Sequence, residues 1–322
     1  MDVKSFFINA SSFFLTYFFI KKLLPFFQNN LSDQPNARSS HLISTPRGIG
    51  IIFSLLSSFF CGLQGFNIII NILPLTFIGF ADDLLNVKAK YKYFVQLIVV
   101  IMLTLSSPLK EYFITDVFSL LGIFSILVLL IGFTAIINFV NFMDGMDGLI
   151  SGCFIFILLG SIYILEIPLS PVIFSITAFL FFNWSPAKAF MGDSGSLFLG
   201  GLYALILLQS RNENELLSLL LLSSPLLIDA IVCIFRRLFN KENIFSAHKK
   251  HLYQRLNQAG WSHSNVSILY ISLVSIEFLS LRLFGLRLEI ISTLIIIFIG
   301  VYLEKFFAQR FNEKPNTIKS FK

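Results

Sequence analysis

Long apolar runs separated by short polar stretches dominate the chain. They cover residues 3–27, 48–65, 66–81, 93–110, 117–140, 148–167, 169–185, 192–210, 214–235, 265–283 and 288–307. A helix needs about 20 apolar residues to cross the hydrocarbon of a bilayer, so each run reads as a transmembrane helix. The third and seventh runs are short, which keeps a ten-span count open beside eleven. No internal repeat is visible, and no linker rich in Pro, Ser or Gly divides the chain. The pattern predicts an all-α polytopic membrane protein, a bundle of ten or eleven helices forming one domain over residues 1–322.

Composition supports that reading. Of 322 residues, 56% are hydrophobic, only 13% are charged and 39 are Phe. A soluble domain carries about 25% charged residues, so the bilayer must act as solvent for most of this surface. The stretch from Phe6 to Ile20 lacks a basic n-region and a small-x-small cleavage site, and Lys21-Lys22 close it. It reads as an uncleaved first span. Cys61, Cys153 and Cys233 lie in separate apolar runs without paired spacing, as core or lipid-facing residues do.

The net charge is +6, and its placement matters more than its sum. With eleven spans the loops alternate sides. One set carries nineteen basic residues, from Lys21, Lys22, Arg38 and Arg47 through Lys88, Lys90, Lys92 and Lys188 to Lys314, Lys319 and Lys322. The other carries only Lys4, Lys110, Arg211, Arg282 and Arg287. Basic loops stay in the cytoplasm, so the N-terminus is expected outside. The excess charge thus points to membrane topology and not to nucleic acid.

Acidic residues converge on the same face. Asp82, Asp83, Asp144, Asp147, Asp193 and Asp229 lie in or beside apolar runs, and the topology puts all six at cytoplasmic helix ends. Charge at membrane depth is costly and normally functional. Six carboxylates would repel one another without a divalent cation or a cationic partner. Asp82-Asp83, followed by Lys88, Lys90 and Lys92, offers oxygen ligands that suit Mg²⁺, although an ordinary acidic helix end would look the same. In the stretch Asn141 to Leu149, Asp144 and Asp147 are three apart and share a face if helical. Gly145 and Gly148 there would let backbone approach a ligand closely.

Two further segments carry polar chemistry. Phe182 to Ser196 reads as a phosphate or nucleotide loop running into the eighth span. Small residues around Asp193 leave backbone N–H groups near a helix N-terminus, and Phe190 is placed to stack on a base. The longest cytoplasmic loop, Arg236 to His263, contains His248-Lys249-Lys250-His251 and Arg255. Its histidine spacing suits a zinc pair, but no cysteine or further histidine completes a tetrahedral set. Cationic phosphate binding fits that loop better, with Arg255 as a bidentate partner. A solvated basic loop would show the same composition.

Taken in order, these motifs resemble the polyprenyl-phosphate N-acetylhexosamine-1-phosphate transferases, glycosyltransferase family 4. That group includes the phospho-N-acetylmuramoyl-pentapeptide translocase of peptidoglycan synthesis. The resemblance runs from about Arg38 to Arg255. It takes in Thr45-Pro46-Arg47-Gly48, Asp82-Asp83, Asn-x-x-Asp-Gly-x-Asp-Gly-Leu at 141–149, Phe-Met-Gly-Asp-Ser-Gly-Ser at 190–196, Asp229 with Arg236-Arg237, and the histidine loop.

The resemblance implies a multi-pass enzyme of the bacterial inner membrane with its active site in the cytoplasm. It implies a UDP-N-acetylhexosamine donor, a polyprenyl phosphate acceptor and UMP as leaving product. Mg²⁺, with Mn²⁺ as a substitute, would be the cofactor, held by Asp193 with Asn141, Asp82 and Asp83. Asp82, Asp83, Asp144, His248 and His251 would be catalytic, and His248 and His251 would contact the diphosphate. Asn183, Phe190, Asp144 and Asp147 would hold the uridine and sugar, with Arg47 and Arg255 as further substrate contacts. A homodimer is left open.

Two departures from the family pattern stand out. Asn86 replaces a charged residue after the aspartate pair, and His-x-x-His-x-Tyr-Gln-Arg replaces consecutive histidines. The second favours the branch that starts O-antigen or other surface glycans over the peptidoglycan enzyme. Direct attack by the lipid phosphate is favoured, with a covalent step through Asp82 or Asp83 as the alternative. A secondary transporter would carry its carboxylates near the midplane, often with inverted repeats. A scaffold would not need these polar loops.

Overall fold

Every apolar run has a helical counterpart. The computed structural model describes residues 2–33, 44–108, 110, 119–243, 246 and 248–312. Arg38, Lys314, Lys319 and Lys322, Leu109 of the fourth run and residues 117–118 at the start of the fifth lie outside the described residues. The helices are α1 (Val3–Asn30), α2 (Gly50–Leu63), α3 (Leu73–Leu85, entered through a 3₁₀ turn at Asn67–Ile72), α4 (Ala89–Leu105) and α5 (Leu120–Met143). They continue as α6 (Leu149–Leu165), α7 (Ser170–Asn183), α8 (Gly192–Leu208), α9 (Glu213–Leu222), α10 (Ser224–Phe239), the short α11 (Leu252–Gln258), α12 (His263–Phe284) and α13 (Leu286–Phe306). A two-residue ribbon, β1 (Ser32–Asp33) against antiparallel β2 (Thr45–Pro46), follows α1.

The run at 214–235 is not one straight span. It is α9 and α10, bent by 77° at Ser223. Pro225 tolerates the start of a helix but not its interior, so Ser223-Ser224-Pro225 restarts the chain as a new helix. Tyr203 of α8 holds the joint, donating from its hydroxyl to the Leu219 carbonyl at 2.8 Å and meeting the Ser223 hydroxyl. Lys21-Lys22 do not end α1, which runs on through Pro25 to Asn30.

Among the described residues five helices can cross a membrane by length and composition, α1, the 3₁₀ turn with α3, α5, α12 and α13, and the bent pair makes a sixth. The others are shorter. A 17-residue helix such as α8 is about 26 Å long at 1.5 Å per residue, somewhat less than the hydrocarbon core. Burial explains the shortness of α8, because every residue from Ser194 to Leu208 is buried. A helix apolar all round belongs inside the bundle. Lipid-facing positions are correspondingly apolar, as at Phe14, Phe124, Val301 and Phe298.

With no hydrophobic effect between helices in lipid, close packing and polar contacts hold them together. Ser12 and Thr16 of α1 bond the Ser175 hydroxyl of α7 at 2.7 and 3.0 Å. Asn138 of α5 donates to Gln96 of α4 at 2.8 Å. The helices alternate direction, so one end of the bundle collects the acidic motifs. At the other end Arg211 donates to the Ile164 carbonyl at 3.0 Å, and Arg282 lies 4.8 Å from the Tyr163 ring centre. These are two of the five basic residues assigned to the sparsely charged side.

A close approach between α8 and α5 gives a stability test. A Cβ at Gly200 would lie 2.7 Å from the Ile137 carbonyl oxygen and 2.9 Å from its Cα, whereas at Gly300 of α13 nothing lies within 4 Å. Overpacking costs about 1–3 kcal/mol, and alanine otherwise favours a helix over glycine. Gly200→Ala is therefore expected to melt several degrees lower in detergent, and Gly300→Ala no lower than wild type.

Candidate active site

The site is built on the N-terminus of α8. The first N–H groups of a helix have no partner within it. Asp83 of α3 meets them, accepting from the Asp193 and Ser194 amides at 3.0 and 3.1 Å. Its side chain is almost fully buried, and Arg47 Nε lies 3.4 Å from Oδ1. Gly192 makes the approach feasible, since its φ is +68° and a Cβ there would sit 2.4 Å from Asp83 Oδ2. The strand-end segment is stitched to the same loop. Phe190 donates to the Pro46 carbonyl at 2.8 Å, and Gly50 donates to that of Met191 at 2.9 Å.

Beside this anchor lies an acidic cluster with one ammonium in it. Lys92 Nζ is 2.9 Å from Asp82 Oδ2 and 2.9 Å from Asp193 Oδ2. Asn141 faces the same space, accepting from the Ser196 hydroxyl at 2.7 Å. Asp144 makes no hydrogen bond or ion pair through its carboxylate among the described residues. Burial, together with the charges of Asp193, Asp83 and Asp147, pushes its carboxyl well above the ordinary carboxylate range. Protonation, or a cation beside it, would relieve that repulsion.

A second ring of polar residues holds the loops. Asn183 accepts from the Gly148 amide and the Ser151 hydroxyl at 3.1 and 2.7 Å and donates to the Ala189 carbonyl at 3.0 Å. Asp147 lies 3.2 Å from His263 Nδ1 and accepts from the Ala187 amide. Burial works to raise its carboxyl, but the hydrogen bond and charge of His263 hold it below its ordinary value. Gly145 admits a protein side chain where a ligand was expected, since a Cβ there would lie 2.2 Å from the Tyr253 hydroxyl. That hydroxyl donates to the Phe142 carbonyl at 2.9 Å.

The histidine segment is held from below by Asp229 of α10. Its carboxylate accepts from the Leu252 and Tyr253 amides at 2.7 and 3.2 Å and from the Tyr270 hydroxyl at 2.7 Å. It repeats on α11 what Asp83 does on α8. A cavity of about 290 Å³ lies between this segment and Lys92, lined by Lys92, Asn138, Asn141, His248, His251 and Gln254. His248 is neutral there, because burial, then His251 and Arg237, push it down to about 3.

The structure brings Asp82, Asp83, Asp144, Asp193, Asn141, Arg47, His248 and His251 to one end of the bundle. It spends other expected ligand contacts internally. Arg255 is buried, donating to both oxygens of Glu304 and to the Gln309 carbonyl. Asn183 and Asp147 fasten loops, and Phe190 is half-buried with its backbone tied down at both ends. Sequence reasoning gave no site role to Lys92, Gln254 or His263. Only the first had a signal, as the one residue of Lys88, Lys90 and Lys92 set a full turn into α4 and so turned toward α3.

The two adjacent aspartates separate by experiment. Charged hydrogen bonds contribute about 1.5–3 kcal/mol each, so Asp83→Asn, which keeps only one acceptor oxygen for two amides, is expected to lower the melting temperature in detergent. Asp82→Asn is expected to melt like wild type, because Lys92 keeps Asp193.

Comparison with known sequences adds an independent line. A profile of Glycosyl transferase family 4 matches residues 49–211, a stretch that holds every acidic residue of the site except Asp229. A probable undecaprenyl-phosphate N-acetylglucosaminyl 1-phosphate transferase of Bacillus subtilis is 31% identical over 272 residues, covering 76% of this chain and 75% of that protein. The phospho-N-acetylmuramoyl-pentapeptide-transferase of Dictyoglomus thermophilum is 30% identical over 286 residues, covering 80% and 91%. That of Sulfurimonas denitrificans is 28% identical over 316 residues, covering 80% and 88%. Matched across half its length by the family profile, and across three quarters by a relative at such identity, the chain belongs to glycosyl transferase family 4.

Proposed function

We propose that this protein transfers N-acetylhexosamine-1-phosphate from a UDP-sugar to polyprenyl phosphate, releasing UMP, as the first membrane step of a surface glycan. The observation that carries this reading is the ammonium of Lys92 set 2.9 Å from both Asp82 and Asp193 at a helix N-terminus. A phosphoryl acceptor and a diphosphate donor are both anions, and the site that joins them must supply positive charge. The acceptor and the class of sugar are those for which the relatives are named.

Asp82, Asp193, Asp144 and the Asn141 amide oxygen suit Mg²⁺, which takes oxygen ligands and shares its remaining positions with water and substrate phosphate. The Lys92 ammonium makes with two of them the contacts that such a cation would make. When bound, the ion would neutralise the diphosphate and draw charge from the leaving UMP. Asp83 cannot serve it as freely, because its oxygens already hold the α8 amides. We read it as a positioning residue, and Asp82 as the member of the pair that faces substrate.

The protein's own residues then do three things. Lys92 moves from the carboxylates to a phosphate oxygen as the ligands arrive, keeping charge in balance. His248 and His251 form the opposite wall of the same cavity, and neutral His248 donates a ring N–H. The lipid phosphate, a monoester with a second pKa near 6 by analogy with phospho-side chains, is largely ionised at pH 7. Its attack on the β-phosphorus therefore needs little help from a base.

Purified protein given a UDP-N-acetylhexosamine, undecaprenyl phosphate and Mg²⁺ is expected to release UMP. Asp193→Asn should reduce that release to background while keeping the wild-type melting temperature, since the amide keeps the shape and removes the charge. Near-normal turnover in that variant would refute the assigned centre.

The proposal also places the site in the cytoplasm at the inner membrane, with the N-terminus outside. Lys110→Cys should react with an impermeant thiol reagent in intact cells, and Lys249→Cys only after permeabilisation. The reverse pattern would invert the orientation.

A further inference from the structure

The bend between α9 and α10 brings a cysteine to the histidines, 15 residues before the first of them in sequence. Ligand atoms of Cys233, His248 and His251 all lie within 4.8 Å of one another. Cys233 and His251 are almost fully buried. The Nδ1 of His251 has no hydrogen-bond partner, and Asp229 Oδ1 lies 3.7 Å from it, too long for a hydrogen bond. The two imidazoles stand 4.9 Å apart, tilted by 31°. All three cysteines are free thiols.

We propose that Cys233, His248 and His251 form a site for a soft divalent cation, zinc above all, separate from the oxygen-lined cluster around Lys92. One thiolate and two imidazoles are the donors zinc prefers, and three protein ligands leave its fourth position open to water or phosphate. Mg²⁺ does not compete for such a set. Zinc–ligand bonds of about 2.0–2.3 Å place donors about 3.5 Å apart, so the three side chains close by roughly an ångström on binding. The Cys233 thiol proton leaves to solvent as the Zn–S bond forms. Asp229 is the kind of carboxylate that orients a ligating imidazole. The cavity beside Lys92 gives the ion its route to the histidines.

Filling this site withdraws both histidines from the diphosphate, so zinc would inhibit; that consequence rests on the proposed function, whereas binding does not. The test uses the purified full-length protein with Co²⁺ as a spectroscopic probe. One equivalent should give a thiolate-to-cobalt charge-transfer band that Zn²⁺ abolishes. Cys233→Ser and Cys233→Ala should lose the band and bind Zn²⁺ at least tenfold more weakly, whereas Cys61→Ser and Cys153→Ser should keep both. No band in the wild type, or an equal band in the Cys233 variants, overturns the site. In turnover at saturating Mg²⁺, Zn²⁺ should inhibit the wild type at concentrations at least tenfold below those needed for Cys233→Ala, whose basal rate is unchanged. Equal sensitivity overturns the link to activity, and absence of any turnover would defeat the proposed function while the cobalt spectrum still decides the site.

Discussion

The first turn of a helix leaves amides without partners inside it, and the whole site follows from how that turn is satisfied in α8. In α8 the solution is a carboxylate from a neighbouring helix, Asp83, facing the Asp193 and Ser194 amides. An anion suits a helix N-terminus. Yet placing it there puts a negative charge beside Asp193 itself, with Asp82 and Asp144 close by. Two like charges 4 Å apart repel by about 4 kcal/mol at an effective dielectric of 20. Arg47 and Lys92 offset part of that, and Asp144 is left without compensation. The crowding of carboxylates is therefore a consequence of building the bundle around a buried helix start.

The same arrangement recurs one layer out, where Asp229 caps the short α11 and so holds the histidine segment against the cavity. Basic residues of that segment are largely committed elsewhere. Lys250 and Arg237 pair with Glu242, and Arg236 and Arg255 pair with Glu304. Glu242 is held below its ordinary value first by the hydrogen bond from Lys250. The loop's positive charge thus fixes its own shape and ties it to the end of α13. What it presents to the cavity is a pair of imidazoles, a neutral hydrogen-bonding wall opposite a charged one.

Much of this was legible in the sequence because hydrophobic runs and basic loops are long signals. Each of the eleven runs has a helical counterpart, one of them broken in two, and the six aspartates expected at one end stand together there. Roles within the cluster were not legible. Asp82 and Asp83 are the same residue type in adjacent positions, yet a helix turns successive side chains about 100° apart, so one reaches the α8 amides and the other faces Lys92. Asn183 and Asp147 look like ligand contacts until Gly148, Ser151, His263 and Ala187 are seen to occupy them. Arg255 could not be recognised as structural without Glu304, which lies 49 residues away. The missing cysteine ligand was hidden in the same way, because Cys233 reads as one more apolar residue of a straight span until the span is bent.

That bend deserves its place in any account of the site. Glu277 of α12 is fully buried and accepts from the hydroxyls of Ser224, Ser292 and Thr293, with Ser224 the first residue after the break. Tyr203 clamps the other side of the joint from α8. A buried carboxylate is tolerated only when such hydroxyls meet it, so α12 and α13 are committed to the geometry of the break. Because α10 carries Asp229, Cys233, Arg236 and Arg237 in its last three turns, the angle at Ser223 sets where α11 and the two histidines stand relative to Lys92. Two sites that share no residue, the helix start at Asp83 and the joint at Glu277, therefore determine together the width of the cavity between Lys92 and the imidazole wall.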